Sequence, residues 1–65
     1  MNMKELRHSA GYSQRALAEK AGMNINQIAK IERGEIKLEN MTLKNAVNLA
    51  RALGVSVESL LEKEG

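Results

Sequence analysis

Residues 14–34, QRALAEKAGMNINQIAKIERG, constrain the fold of this chain more than any other feature. The first half of this segment places Leu17, Ala18 and Ala21 on one face at helical spacing. Gly22 follows at once, and glycine readily adopts the left-handed conformation with which many helices end. We therefore expect a short helix here, followed by a sharp turn.

The second half of the segment predicts another helix. Asn24 can cap its first turn, and Ile28 and Ile31 lie three residues apart on one face. Ala18 is small at the point where two helices would cross closely. This is the pattern of a helix-turn-helix, a motif whose second helix enters the major groove of DNA.

The rest of the chain also predicts helices. It contains no proline and one aromatic residue, and no stretch alternates in the way of a half-buried strand. Ser13, Thr42 and Ser56 are predicted helix caps, and Gly54 a helix end. The first three predicted helices are residues 3–10, 14–21 and 25–33, and the first of them has Met3, Leu6 and Ala10 inward. A fourth helix follows Thr42, with apolar residues at helical spacing: Leu43, Ala46, Val47, Leu49, Ala50 and Leu53. A fifth, short helix follows Ser56.

The size and composition of the chain limit its possible functions. A chain of 65 residues forms one domain and buries only about 60% of its unfolded surface, which leaves little room for a deep cleft. With no cysteine and one histidine, it offers no disulfide, thiolate site or histidine cluster, so we predict no metal and no cofactor. No apolar run approaches the roughly 18 residues of a membrane span, and the start lacks a signal-peptide core, so we expect a cytoplasmic protein.

Charge is distributed unevenly along the chain. The net charge is +2, but residues 1–51 carry nine Lys/Arg against five Asp/Glu, a balance of +4, whereas residues 52–65 carry one against three, a balance of −2. The basic part contains the predicted helix-turn-helix. This bias suits a polyanionic partner, although many inert domains are as basic.

The segments GYSQRALAEKAGM, NQIAKIERGE and NLARALGVSVESLL make the chain resemble the Xre or phage-repressor (Cro-type) family of helix-turn-helix proteins. The resemblance covers almost the whole chain, and it implies a single compact, all-α, five-helix, lambda-repressor-like domain over residues 1–65 that binds operator DNA as a twofold dimer. The chain departs from the family at Tyr12, where Leu or Met is usual. It also departs in the loop between Glu35 and Glu39, which is basic in some members.

Four residues of the second motif helix are predicted to read DNA bases. Asn26 and Lys30 face away from the isoleucine side, Gln27 lies on the flank, and Ile25 stands at the helix start. Asn and Gln can bond adenine, Lys can bond guanine, and an isoleucine can contact a thymine methyl group. The alternative for each residue is an ordinary solvated surface side chain.

Phosphate contacts are predicted for Gln14, Arg15, Arg33 and Lys37. Gln14 stands at the start of the first motif helix, where free backbone N–H groups point outward, and the resemblance places a phosphate-binding glutamine at this position. Arg15 and Arg33 would flank it, with Lys37 further out. The alternative is that Ser13 and Gln14 only cap the helix.

Glu32 is predicted to lie nearer the core than the solvent, and a half-buried carboxylate needs a partner. The resemblance supplies Arg7 as that partner. We predict a structural Arg7–Glu32 ion pair that joins the first helix to the third, with an ordinary surface charge as the alternative.

The function predicted from these features is sequence-specific binding of double-stranded DNA, by a transcriptional regulator of the repressor kind that binds a near-palindromic operator as a homodimer. The last helix carries Val57, Leu60 and Leu61, of which some must cover the core and the excess is the candidate dimer patch. The alternative is a protein-interaction module, such as an antitoxin or adaptor domain, which would carry a neutral or apolar third helix. RNA binding would require stacking aromatic residues, and an enzyme is not expected because no Ser/His/Asp arrangement is present.

Overall fold

The computed structural model describes residues 3–61, which form five α-helices and one short 3-10 turn. The predicted all-α class is confirmed. In chain order the elements are α1 (Met3–Ser9), α2 (Gln14–Ala21), α3 (Ile25–Glu32), the 3-10 turn (Leu38–Asn40), α4 (Leu43–Leu53) and α5 (Val57–Leu61). No helix in this part of the chain is long and apolar enough to cross a membrane.

The turn between α2 and α3 forms as the sequence predicts. Gly22 has a φ of 69°, a left-handed conformation that costs glycine little because it has no Cβ. The backbone N–H of Met23 donates to the Ala18 carbonyl at 2.8 Å, which closes the end of α2. Asn24 then begins α3, since its Oδ1 accepts a hydrogen bond from the Asn26 backbone N–H at 2.7 Å.

The other predicted caps are present as well. In each, a side-chain oxygen accepts a hydrogen bond from a backbone N–H three residues later, which satisfies a donor that the helix itself leaves unpaired. The pairs are Ser13 with Ala16 at 3.0 Å, Thr42 with Asn45 at 3.3 Å and Ser56 with Ser59 at 3.1 Å.

The core is built around α2, which packs against both α3 and α4. Leu17, Ile28 and Leu49, one from each of these helices, are the largest fully buried side chains. α1 packs against α3, and α5 packs against α4 and the 3-10 turn. α3 is therefore fixed on its inner side by two neighbouring helices, and its outer side remains exposed.

One predicted inward position is wrong, and one apolar residue at helical spacing in α4 is exposed. Ala10 is exposed, because α1 ends at Ser9 and Ala10 already belongs to the turn. Leu43, which was grouped with the apolar positions of α4, is 74% exposed. It lies in the first turn of the helix at the edge of the buried stripe, whereas Ala52, which the sequence prediction omitted, is buried.

Candidate nucleic-acid interface

The outer face of α3 carries the three predicted polar base-reading residues. Asn26, Gln27 and Lys30 are all exposed, whereas Ile28 on the opposite side is 0% exposed. Ile25 is half-buried and packs against the core, so only part of its side chain faces outward. The structure therefore brings two amides and one lysine together on a helix face that no described segment covers.

Gln27 also takes part in the cap of α3. Its Oε1 accepts a hydrogen bond from the Asn24 backbone N–H at 3.1 Å, which reciprocates the Asn24 cap. The Nε2 amino group is thus the part of Gln27 that remains for a base. The sequence prediction did not include this bond, although a capping residue followed three positions later by Gln is a known local pattern for it.

Arg7 and Glu32 form the predicted ion pair. Arg7 Nε donates to Glu32 Oε2 at 2.6 Å and Nη2 donates to Oε1 at 3.1 Å, with side-chain exposures of only 9% and 5%. The third guanidinium nitrogen, Nη1, donates to the Tyr12 carbonyl oxygen at 2.9 Å. The pair therefore joins α1, the turn that follows it and the end of α3.

Gln14 is connected to this ion pair. Its Nε2 donates to Glu32 Oε1 at 3.1 Å, so the first residue of α2 is held against the last residue of α3. Nothing local in the sequence indicates this bond, because the two residues are 18 positions apart. The side chain predicted to contact phosphate is thus oriented by a buried carboxylate.

The three cations predicted to contact phosphate are exposed. Arg15 lies on α2 beside Gln14, Arg33 caps the C-terminus of α3, and Lys37 lies in the following loop. Arg33 has a partner that the sequence prediction missed, because its Nε lies 2.6 Å from Glu35 Oε2. The side chains of this pair are 58% and 53% exposed, so both remain accessible to solvent.

The pKa of Glu32 is lowered from its ordinary value by the balance of several effects. Burial by itself raises the pKa. Hydrogen bonds from Arg7 and Gln14, together with the positive charges of Arg7 and Lys4, lower it by more than burial raises it. The carboxylate is therefore charged at neutral pH and stabilises the folded state.

A lowered pKa in the folded protein makes stability depend on pH. The contribution of Glu32 is fully present above the ordinary glutamate pKa of 4.5, and it is lost as the pH falls through the lower folded pKa. We expect wild type to exceed Glu32→Gln in free energy of unfolding at neutral pH, and this difference to shrink as the pH falls below 4.5. Urea denaturation of both proteins at a series of pH values measures this stability difference. A difference that does not change with pH would contradict the lowered pKa of Glu32.

The predicted dimer patch is only partly exposed. Leu60 is 3% exposed and belongs to the core, so it is one of the residues that cover the core and is not part of a dimer patch. Val57 is half-buried against the same core, and the side chain of Leu61 lies outside the described residues. An apolar residue on the last helix was needed to close the core of so short a chain.

Within residues 3–61, no group of three or more His, Cys, Asp or Glu side chains could hold a metal ion. No buried side-chain nitrogen or oxygen among these residues lacks a hydrogen-bond partner. The polar groups of the described interior are thus used to hold the helices together.

The structure has two short helices, α2 and α3, joined by a glycine turn. Buried residues fix the inner side of α3, and its outer side carries two amides and a lysine. This arrangement defines a helix-turn-helix protein. The chain belongs to the helix-turn-helix family: a family profile described as "Helix-turn-helix" matches residues 3–60. This match confirms the resemblance to Xre-type proteins.

Two known proteins are similar over nearly the whole chain. Control protein C.SmaI from Serratia marcescens is 38% identical over 64 residues, which cover 98% of this chain and 73% of that protein. The N-terminal DNA-binding domain of the master biofilm-regulator SinR from Bacillus subtilis superposes with a TM-score of 0.80 at 34% identity, over 95% of this chain and 87% of that domain. The similarity supports the predicted class, a DNA-binding regulator of the repressor or control-protein kind.

Proposed function

We propose that this chain binds double-stranded DNA in a sequence-specific way through the outer face of α3 and represses transcription at a near-palindromic operator. The observation that carries the proposal is the division of α3 into two faces. Ile28 and Ile31 are buried on one, and Asn26, Gln27 and Lys30 are exposed on the other. A rigid helix with amide and ammonium groups outward can enter the major groove and bond base edges.

The surroundings of α3 support contacts to the DNA backbone. Gln14 and Arg15 lie at the N-terminus of α2, where unpaired N–H groups and the helix dipole favour a phosphate. Arg33 and Lys37 follow the other end of α3. Cations on both sides of the base-reading helix would fix its orientation on the duplex. We also propose that the protein works in the cytoplasm.

The relatives support a regulatory role. One is named a control protein and the other a master biofilm-regulator whose similar domain binds DNA. We propose that this chain acts as a homodimer, with two copies of α3 about 34 Å apart, one turn of the double helix. Selection of bound duplexes from a random pool tests this proposal. A symmetric consensus is expected, and failure to enrich any sequence would favour an antitoxin-like or adaptor role with a protein partner.

Base reading and phosphate binding should respond differently to mutation. We expect Lys30→Ala to weaken binding to the selected operator by about 1–3 kcal/mol and to relax the base preference at one position. Arg15→Ala should weaken binding to all duplexes about equally and lower the salt slope of binding by about 0.9, because one phosphate contact is lost. Titrations of operator and scrambled duplexes at several salt concentrations measure both effects.

Lys20→Ala is a matched control for these variants. Lys20 is exposed on α2 and lines a groove with Asn48 and Arg51 of α4, so its loss removes the same charge without touching α3. It should leave the base preference unchanged. If Lys30→Ala behaved like Lys20→Ala on the operator, Lys30 would not read a base.

A further inference from the structure

The cation at the end of the base-reading helix already has an anionic partner within the chain. Arg33 Nε donates to Glu35 Oε2 at 2.6 Å. A charged N–H donor at this distance from a carboxylate is well placed for a strong, charge-assisted hydrogen bond. A DNA phosphate would approach the same guanidinium with the same kind of oxygen.

The backbone holds the two residues in this arrangement. Gly34 between them has a φ of 82°, a left-handed conformation that reverses the chain directly after α3. The Gly34 N–H donates to the Ile31 carbonyl at 3.1 Å and the Glu35 N–H donates to the Lys30 carbonyl at 2.9 Å. These bonds form the glycine-terminated helix end known as the Schellman motif, which fixes Glu35 beside Arg33 and lowers the entropic cost of pairing them.

We propose that Glu35 competes with DNA phosphate for Arg33, so that the chain binds DNA more weakly than its own recognition surface would allow. The inference rests on the proposed function and assigns to Glu35 the role of an internal competitor. Because the pair is more than half exposed, solvent already weakens it, and a phosphate can displace the carboxylate at moderate cost.

Removing the charge of Glu35 while keeping its shape should release Arg33. We expect Glu35→Gln to tighten binding to a double-stranded DNA of mixed sequence by about two- to five-fold, the range set by the strength of an exposed ion pair. It should also steepen the salt slope by at most about 0.9, the amount for one full phosphate contact, because phosphate already displaces Glu35 from Arg33 in part of the wild-type complexes.

Glu58→Gln is the matched control, because it changes the net charge by the same amount elsewhere. Glu58 is exposed on α5, which packs against α4 and the 3-10 turn. Glu58→Gln leaves the Arg33–Glu35 pair intact, so its effect on affinity and salt slope should be smaller than that of Glu35→Gln.

Binding of the same duplex by wild type, Glu35→Gln, Glu58→Gln, Arg33→Ala and the double variant Arg33→Ala/Glu35→Gln tests the inference. A gain for Glu35→Gln that disappears in the Arg33→Ala background supports it. Equal gains for Glu35→Gln and Glu58→Gln, or a gain that persists without Arg33, would overturn it and leave the proposed function intact, since general charge repulsion would then be the cause. No binding by wild type at low salt would overturn both.

Discussion

The variant Arg7→Leu is expected to lose about 3–5 kcal/mol of unfolding free energy, because it leaves the Glu32 carboxylate buried without its charged partner. A domain of 65 residues has a total stability of about 3–10 kcal/mol, so the expected loss is a large fraction of that total. Urea denaturation monitored by circular dichroism at neutral pH measures the loss.

The double variant Arg7→Leu/Glu32→Leu separates the cost of leaving a buried charge unpaired from the loss of the ion pair itself. Replacing both members by apolar side chains removes the unpaired charge, so the double variant should recover much of the stability lost by Arg7→Leu. The deficit of Arg7→Leu should also shrink in acid, where Glu32 can be protonated. A loss below about 1 kcal/mol for Arg7→Leu would mean that the pair behaves as a solvated surface contact.

Ile28→Ala is expected to destabilise the fold by about 2–5 kcal/mol, because it opens a cavity between α3 and the core. Ile28 is 0% exposed, and it anchors the inner side of α3. Leu43→Ala is the matched control, since it also shortens an aliphatic side chain but at a position that is 74% exposed. It should change the unfolding free energy by less than about 0.5 kcal/mol.

The same two variants link stability to DNA binding. Ile28→Ala leaves every predicted contact side chain in place, so any loss of binding should equal the loss of folded protein. Binding by Ile28→Ala should therefore recover with a stabilising osmolyte as the fold recovers. Equal destabilisation by Ile28→Ala and Leu43→Ala would contradict the described core.

Local features of the fold could be predicted from the sequence because they depend on neighbours along the chain. The caps at Ser13, Asn24, Thr42 and Ser56 and the glycine turn at Gly22 each need only a few consecutive residues. Helical spacing also gave the direction of the two faces of α3.

The errors and omissions concern contacts between distant or terminal positions. Helical spacing alone could not show that Leu43 is exposed although it lies at helical spacing with the buried residues of α4. It also could not show that Leu60 is buried in the core. The bond between Gln14 and Glu32 depends on how α2 crosses α3, and no local pattern encodes that angle. The pairing of Arg33 with Glu35 depends on the backbone reversal at Gly34.

The Arg7–Glu32–Gln14 connection involves neither Asn26 nor Lys30, whose side chains are exposed. Under the proposed function, target choice depends on Asn26 and Lys30, whereas the support of α3 depends on Ile28, Ile31 and Glu32. A descendant of this protein could then exchange the two outer residues and acquire a new target without first regaining lost stability. The same separation makes those two positions the natural ones to randomise when retargeting the domain.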